Sequence, residues 1–207
     1  MSNIYVLIAY LLGSIPTSVW IGKVFYNIDV REFGSGNAGA TNTFRVLGKK
    51  AGIPVLIIDI LKGSLAVSLS FLSTYDINSN AFINLQLALG IAALIGHIFP
   101  IFAGFRGGKG VATILGVVFC ILPLACSLSL LVFLFMLLIS RIVSLSSMIA
   151  GISFPIILNL VLHNQNRVLI IFSIVVSALL IITHRKNIKR LLKKEESKVK
   201  LFSGSSK

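Results

Sequence analysis

Long apolar runs are the feature that most constrains how this chain can fold. Hydrophobic residues make up 56% of it and charged residues only 12%. A helix needs about 20 mostly apolar residues to cross a bilayer, and the runs lack the two-residue alternation of a β-barrel. The sequence therefore predicts an all-α, polytopic transmembrane helical bundle, with a single integral membrane domain over 1–207. The predicted spans are 4–25, 52–73, 82–102, 111–139, 148–162 and 168–182.

The number of crossings depends on 111–139, which is long for one helix and is interrupted at Pro123. Two short helices there give seven crossings, whereas a re-entrant segment gives five. Cytoplasmic loops are enriched in Lys and Arg, and such residues cluster after the first span, after the third span and at the C-terminal end. The pattern predicts an external N-terminus, a cytoplasmic C-terminus and a basic cytoplasmic tail over 183–207.

The formal net charge of +13 is typical of a nucleic-acid-binding protein if the chain is soluble. In a membrane protein, basic residues more often reflect topology and attraction to anionic lipid headgroups. Cys120 and Cys126 lie in an apolar segment and fit no metal-binding spacing with histidine. We therefore expect the lipid bilayer as a partner, no nucleic acid, no metal ion and no cofactor.

A glycine-rich segment at 34–45, between the first two spans, has the composition of an anion-binding loop. Its glycines allow backbone N–H groups to face a ligand, and Arg45 adds a planar cation that suits phosphate. The glycine spacing also matches a dinucleotide fingerprint, but that motif needs a preceding strand, whereas an apolar span precedes this one. Hydroxyl and amide groups come from Ser35, Asn37, Thr41, Asn42 and Thr43.

A second basic, glycine-rich segment, 104–110, follows His97 at the end of the third span. It is not a P-loop, because position 103 is Ala instead of the first Gly and position 110 is Gly instead of a magnesium-binding Ser or Thr. A third polar segment covers 184–196. We expect the three segments to meet at the cytoplasmic surface, where their cations and N–H groups would neutralise two phosphate groups.

Two features inside the spans allow a structural and a functional interpretation. Asp59 and Lys62 are three residues apart and so share one helical face, either as a structural ion pair or as a polar contact beneath the site. The stretch 13–18 contains Pro16 and predicts a break in the first span, which serves either packing or the site.

Acidic residues are scarce, with six Asp and Glu in the whole chain. No paired carboxylates, Gly-x-Ser-x-Gly elbow or metal-ligand cluster is visible. Catalysis would therefore depend on positioning and on electrostatic stabilisation of phosphate and oxyanion. A general base would be His97, His184 or a phosphate of the substrate.

Three stretches resemble the cytoplasmic motifs of the bacterial acyl-phosphate:glycerol-3-phosphate acyltransferases. They are Gly-Ser-Gly-Asn-Ala-Gly-Ala-Thr-Asn-Thr-Phe-Arg at 34–45, Gly-His-x-Phe-Pro-x-Phe-x-Gly-Phe-x-Gly-Gly-Lys-Gly-Val-Ala-Thr at 96–113 and His-Arg-x-Asn-Ile-x-Arg-Leu at 184–191. The segments 59–63 and 141–147 also resemble parts of the family, so the resemblance runs in order from residue 13 to residue 196.

The resemblance implies a reaction and a location. The acyl group of a fatty acyl phosphate would move to the 1-hydroxyl of glycerol 3-phosphate, giving lysophosphatidic acid and inorganic phosphate, the first step of phospholipid synthesis. The enzyme would be a multi-pass protein of the bacterial cytoplasmic membrane, with its active site on the cytoplasmic side. A protein partner that supplies acyl phosphate is compatible with this reaction.

The resemblance also implies roles for individual residues. The catalytic residues would be Ser35, His97 and Arg45. The substrate- and phosphate-binding residues would be Gly36, Asn37, Thr41, Asn42, Arg45, Gly107, Gly108, Lys109, Ser144, His184 and Asn187. The structural residues would be Asp59, Lys62 and Glu196. The chain departs from the family at Lys193 and Lys194, where a glycine commonly precedes the glutamate, and this departure puts the turn of the tail in question.

Two other classes of function fit parts of the sequence. A transporter or channel for a phosphorylated metabolite would also have basic loops and intramembrane charge, but the polar motifs lie on one face and no inverted repeat is visible. A scaffold for anionic lipids would explain the basic tail but not the two glycine-rich segments.

Overall fold

The computed structural model describes residues 2–199, and within that range the chain is helical and has no β-strand. This result confirms the predicted all-α class. Residues 200–207 of the expected basic tail lie outside the described residues. The helices are α1 Ser2–Gly13, α2 Thr17–Tyr26, α3 Ala40–Leu47, α4 Lys49–Ser68, α5 Asn80–Ile98, α6 Val111–Ile121, α7 Pro123–Ser140, α8 Val143–Ile156, α9 Arg167–Thr183 and α10 Arg185–Leu192.

The helices form two compact units, divided between Pro123 and Leu124. The first unit contains α1 to α6 together with both glycine-rich segments. The second contains α7 to α10 and the segment that follows α10. The single membrane domain expected over 1–207 stays a prediction.

Within residues 2–199, four helical segments are long and apolar enough to cross a membrane: Lys49–Leu72, Asn80–Ala103, Pro123–Ser140 and Val143–Val161. The count rises to six if each of two bent helix pairs is one span. These pairs are α1 with α2, bent by 41°, and α9 with α10, bent by 58°. Helix α6 is apolar but shorter, and a single residue, Leu122, separates its end from the start of α7, at the break that Pro123 predicts.

The break between α1 and α2 lies at 14–16, as Pro16 predicts. Proline has no N–H to donate, and its ring excludes the preceding turn of a helix. The backbone carbonyl of Ile15 instead accepts a hydrogen bond of 3.0 Å from Nζ of Lys62. A charged side chain of α4 therefore satisfies the polar backbone that the break exposes inside an apolar unit.

Glycines allow the helices of the first unit to approach closely, as small residues do in membrane proteins. A methyl group on Gly13 of α1 would overlap the backbone carbonyl of Ala93 in α5, and Gly96 of α5 makes the reciprocal contact with α1. Gly63 of α4 and Gly116 of α6 make the corresponding close backbone contacts between these two helices. These two close crossings determine where the C-terminal end of α5 and the N-terminal end of α6 lie in this unit. The second glycine-rich segment connects these two ends.

Candidate active site

The first glycine-rich segment, 34–45, forms a tight loop that leads into α3. Gly34 and Gly36 have φ angles of 61° and 70°, in the left-handed region that glycine enters without strain. Between them, the N–H and the hydroxyl of Ser35 both donate to Oδ1 of Asn42, at 2.8 and 3.1 Å. The loop therefore holds Ser35, a predicted catalytic residue, in a defined position.

Asn42 braces this loop from inside. Its side chain is buried, and Nδ2 donates to the backbone carbonyls of Val30 and Phe33 at 2.8 and 3.1 Å. Because its amide group binds Ser35 at one end and the backbone just before the loop at the other, the Asn42 side chain holds Ser35 in place. Direct contact between Asn42 and phosphate stays a prediction.

The exposed groups of the first segment lie on and beside α3. Thr41 and Arg45 are exposed and are one helical turn apart, so they share a face. Asn37 is half-buried and Gly36 is exposed. The backbone therefore presents a cation and a hydroxyl next to the braced loop, although phosphate binding by these residues stays a prediction.

The second glycine-rich segment folds back over the end of α5. The N–H groups of Gly107 and Gly108 donate to the carbonyls of Ile98 and His97, at 3.2 and 3.1 Å. A methyl group on Gly108 would overlap the imidazole of His97 and would lie 2.7 Å from the carbonyl oxygen of Ala38. The structure therefore brings the two glycine-rich segments into contact within one unit, as the sequence predicts.

His97 lies beneath this segment and is only 6% exposed. Its Nδ1 is 3.0 Å from the hydroxyl of Thr113, and its Nε2 lies against Gly108. The imidazole therefore packs beneath Gly107 and Gly108. Lys109, which is half-buried, follows these two glycines in the sequence. The catalytic role of His97 stays a prediction.

A buried ion pair lies near His97. Nζ of Lys62 is 2.8 Å from Oδ1 of Asp59, and the two side chains are 4% and 2% exposed. The hydroxyl of Thr17 donates to the same oxygen at 3.1 Å, and Nδ1 of His97 is 3.8 Å away from it. The pair thus joins the break in the first span to the region beneath the second segment, and its structural and functional interpretations both stay predictions.

Sequence reasoning missed two hydroxyl groups of this cluster, those of Thr17 and Thr113. Both side chains are buried. Each lies in the first turn of a helix that follows a break: Thr17 begins α2 directly after Pro16, and Thr113 is the third residue of α6, after the second glycine-rich segment. A polar residue at the first turn of an apolar helix was the signal that could have identified them, because buried hydroxyls need partners.

The second unit contains a polar cluster around Glu196. Its Oε1 accepts hydrogen bonds from Ser144 and Asn187, at 3.0 and 2.7 Å, and its Oε2 lies 2.7 Å from Nε of Arg190. Burial opposes ionisation of Glu196, but these three hydrogen bonds outweigh it and lower the pKa of the carboxyl group. Glu196 therefore joins α8 to α10 as an ionised acceptor, and its predicted structural role in the enzyme stays a prediction. Ligand binding by Ser144 and Asn187 stays a prediction.

The turn that brings Glu196 back forms despite the missing glycine. Glu195 N–H donates to the carbonyl of Arg190 at 2.8 Å, and Lys194 N–H donates to that of Leu191 at 3.0 Å. These are the two hydrogen bonds of a Schellman motif, whose left-handed position is usually glycine. Lys194 occupies that position with a φ angle of 59°. The chain thus forms this turn with Lys194 at the position where glycine is usual.

We expect Lys194→Gly to raise the free energy of unfolding by about 1 kcal/mol, because a side chain in the left-handed conformation is strained. Lys193→Gly is the matched control: Lys193 has an ordinary helical conformation, so glycine there would lower stability by roughly 0.5–1 kcal/mol. Thermal unfolding of both variants in one detergent measures the difference. Equal destabilisation by the two glycines would contradict the strain at Lys194.

His184 lies between α9 and α10 and is buried. Its Nδ1 is 2.8 Å from the backbone carbonyl of Leu180. Because a carbonyl only accepts, Nδ1 carries a proton and donates. In the neutral ring Nε2 is then the acceptor, and it can take a proton from a hydroxyl group. In the charged ring both nitrogens are donors, and the ring can bind phosphate. Both roles stay predictions.

These groups define the chemistry that is available. Among the described residues, no set of three or more His, Cys, Asp and Glu side chains could hold a metal ion. The first unit offers a braced hydroxyl and the cations of Arg45 and Lys109, whereas the N–H groups of Gly36, Gly39, Gly107 and Gly108 donate to backbone carbonyls of the chain itself. The second offers His184 and the cluster around Glu196. Such groups bind phosphate and stabilise negative charge that develops on a reacting carbonyl.

Comparisons with known proteins agree with this chemistry. The model of the glycerol-3-phosphate acyltransferase family matches residues 3–194. The chain is 48% identical over 194 residues to the glycerol-3-phosphate acyltransferase of Listeria welshimeri serovar 6b, and the alignment covers 94% of each protein.

Two crystal structures of PlsY, described as an integral membrane glycerol 3-phosphate acyltransferase, are also similar. Its glycerol 3-phosphate form shares 41% identity with a TM-score of 0.86, over 96% of both chains. Its lysophosphatidic acid form shares 40% identity with a TM-score of 0.82, over 96% of this chain and 95% of the other. The chain therefore belongs to the glycerol-3-phosphate acyltransferase family of integral membrane enzymes.

Proposed function

We propose that this enzyme transfers a fatty acyl group from an acyl phosphate to the 1-hydroxyl of glycerol 3-phosphate. The hydroxyl oxygen forms an ester bond with the acyl carbon, and the carbon–oxygen bond to phosphate breaks. Lysophosphatidic acid and inorganic phosphate are the products, and the hydroxyl proton passes to a phosphate oxygen. The similar PlsY structures, one a glycerol 3-phosphate form and one a lysophosphatidic acid form, support this acceptor and this product.

The contact between the two glycine-rich segments carries the proposal most directly. Ala38 and Gly108 touch, so Ser35 and Lys109 belong to neighbouring stretches of one unit. Cations and hydroxyl groups gathered in this way bind phosphate oxygens. In the proposed mechanism, Arg45 and Lys109 hold phosphate, while the hydroxyl of Ser35 exchanges its hydrogen bond to Asn42 for one to the substrate and so orients the reacting groups.

An acyl phosphate suits these residues as the donor. It is already activated, so transfer needs orientation and charge stabilisation but no covalent intermediate on the protein. Its acyl chain partitions into the bilayer while its phosphate stays at the interface, where the basic segments are predicted. A protein partner that supplies this poorly soluble donor fits the same scheme.

The donor assignment is tested by supplying palmitoyl phosphate and palmitoyl-CoA separately, each with glycerol 3-phosphate, to the purified protein. We expect lysophosphatidic acid and an equal amount of phosphate only with palmitoyl phosphate. Ser35→Ala should lower kcat/KM by about 100-fold, as loss of one oriented donor does, while Ser68→Ala, at an exposed position of α4, should not. Equal turnover of the CoA thioester, or full activity of both Ser35→Ala and His97→Ala, would contradict the proposal.

We also propose seven crossings with an external N-terminus and a cytoplasmic C-terminus in the bacterial cytoplasmic membrane. The number follows if the two bent pairs and the short helix α6 each cross once, in addition to the four long segments. The distribution of Lys and Arg supports the orientation. Cysteines placed at Lys50 and Lys186 should react only with a reagent that has access to the cytoplasm, and a cysteine at Asn78 only with an external one. Any other pattern contradicts the topology.

A further inference from the structure

Arg31 connects the two glycine-rich segments from a position that belongs to neither. It lies in the short helical turn Val30–Glu32, between α2 and the first segment. Its side chain is 14% exposed, and that of its ion-pair partner Asp29 is 11% exposed. The contacts of this side chain join the turn before the first segment to the second segment, within the first unit.

One edge of the guanidinium binds Asp29 in a two-point arrangement. Nε is 2.9 Å from Oδ1 and Nη2 is 2.7 Å from Oδ2. Oδ1 also accepts the backbone N–H of Arg31 at 3.0 Å, so Asp29 fixes both the turn and the side chain. These hydrogen bonds lower the pKa of Asp29 to about 2, which keeps the pair ionised at any working pH.

The remaining nitrogen of Arg31 reaches the second segment. Nη1 donates to the backbone carbonyl of Ala103 at 2.8 Å and lies 3.4 Å from that of Arg106. Arg106 directly precedes Gly107, and Arg31 lies four residues before Ser35. The guanidinium of Arg31 therefore fixes the distance between the backbone that leads to Ser35 and the backbone that leads to Lys109.

Lysine cannot reproduce this contact. Its single ammonium group lacks the fork of Nε and Nη donors that binds a carboxylate at two points while a third nitrogen faces a carbonyl. The chain offers a comparison at the same carboxylate, because Nζ of Lys23 is 3.6 Å from Oδ2 of Asp29 with a side chain that is 58% exposed. Lys23 shares the charge of Arg31 but does not bridge the two segments.

We propose that Arg31 is a positioning residue that sets the distance between the two glycine-rich segments, so that both contact the phosphate of glycerol 3-phosphate. The proposal rests on the proposed function, since it assumes that these segments bind this substrate. Arg31 touches no reacting atom in this scheme. It acts through the backbone that carries Ser35 and Lys109.

The test compares Arg31→Lys, Asp29→Asn and Lys23→Gln in the full-length protein. We expect the first two to weaken glycerol 3-phosphate binding by about tenfold to 100-fold, the effect of losing one or two charged hydrogen bonds. KM for glycerol 3-phosphate should rise more than kcat falls. Lys23→Gln should stay within about twofold of the unmodified protein, because exposed ion pairs contribute little.

A double-mutant cycle with Lys109→Met separates positioning from general destabilisation. If Arg31 acts by placing the segment that carries Lys109, the two losses of affinity should be clearly less than additive. Unfolding temperatures, measured in parallel, identify a variant that merely fails to fold, and the milder Asp29→Asn then carries the comparison.

Unchanged affinity in both Arg31→Lys and Asp29→Asn, or fully additive losses with Lys109→Met, would overturn the positioning role while the unmodified enzyme remains active. Absence of glycerol 3-phosphate binding by the unmodified protein would instead overturn the proposed function, and the positioning role with it.

Discussion

Replacing Lys62 by methionine should lower the free energy of unfolding by about 3–5 kcal/mol, because it leaves a buried carboxylate without its counter-ion. Asp59 is 2% exposed and accepts its shortest contact, 2.8 Å, from Nζ of Lys62. Methionine fills similar space but provides no charge. The carbonyl of Ile15, at the break between α1 and α2, loses its donor in the same substitution.

Two controls separate the ion pair from other effects of the methionine. Lys50→Met removes a charge from an exposed position of the same helix and should change stability by less than about 0.5 kcal/mol. Asp59→Asn combined with Lys62→Met removes both charges and should recover much of the loss, since the unpaired charge causes most of the cost.

Thermal unfolding in one lipid environment measures all three proteins. If Lys62→Met is as stable as Lys50→Met, the pair does not hold the first span to α4. If the double variant is no more stable than Lys62→Met, the loss comes from the carbonyl of Ile15 and from packing, and not from the unpaired charge.

The second large effect is expected for Gly108→Ala, which should lower kcat/KM by about 100-fold or more. The added methyl group would overlap the imidazole of His97 and lie 2.7 Å from the carbonyl oxygen of Ala38. Backbone cannot yield as a flexible side chain does, so the second glycine-rich segment must move away from the first. A displacement of about 1 Å in a substrate-positioning element is enough for a loss of this size.

Gly104→Asn is the matched control for this substitution. Gly104 lies at the start of the same segment, has no neighbour within 4 Å of an added Cβ, and has a left-handed φ angle of 62° that asparagine tolerates. We expect its kcat/KM to stay within about threefold of the unmodified enzyme. Initial rates and unfolding temperatures should be measured together. Normal activity of Gly108→Ala would show that contact between the two segments is not needed for catalysis.

Much of the fold follows from local patterns in the sequence. Apolar length predicted helices that span a membrane, Pro16 and Pro123 predicted the two breaks, and the structure has both breaks at those prolines. The motif resemblance predicted the family, which the comparisons confirm. These predictions succeeded because hydropathy, missing N–H groups and glycine content act within one turn or one loop.

The roles of individual polar residues followed less well from pattern alone. Asn42 resembles a ligand-binding amide, yet both ends of its side chain brace the loop. The sequence did not indicate the contacts of Arg31 with Asp29 and Ala103, because in the sequence Arg31 is one more basic residue beside a motif. A composition shows which hydrogen-bonding groups exist, but not which of them the fold uses internally.

The sequence by itself determined that this chain is a helical membrane protein with two glycine-rich, basic segments, since apolar length, charge and glycine content are local properties. Only the tertiary structure decided that Thr17 binds Asp59, 42 positions away, and that Gly108 lies against Ala38. Such pairs form where buried polar groups must find partners in an apolar interior, and the packing of distant helices decides which partners are within reach.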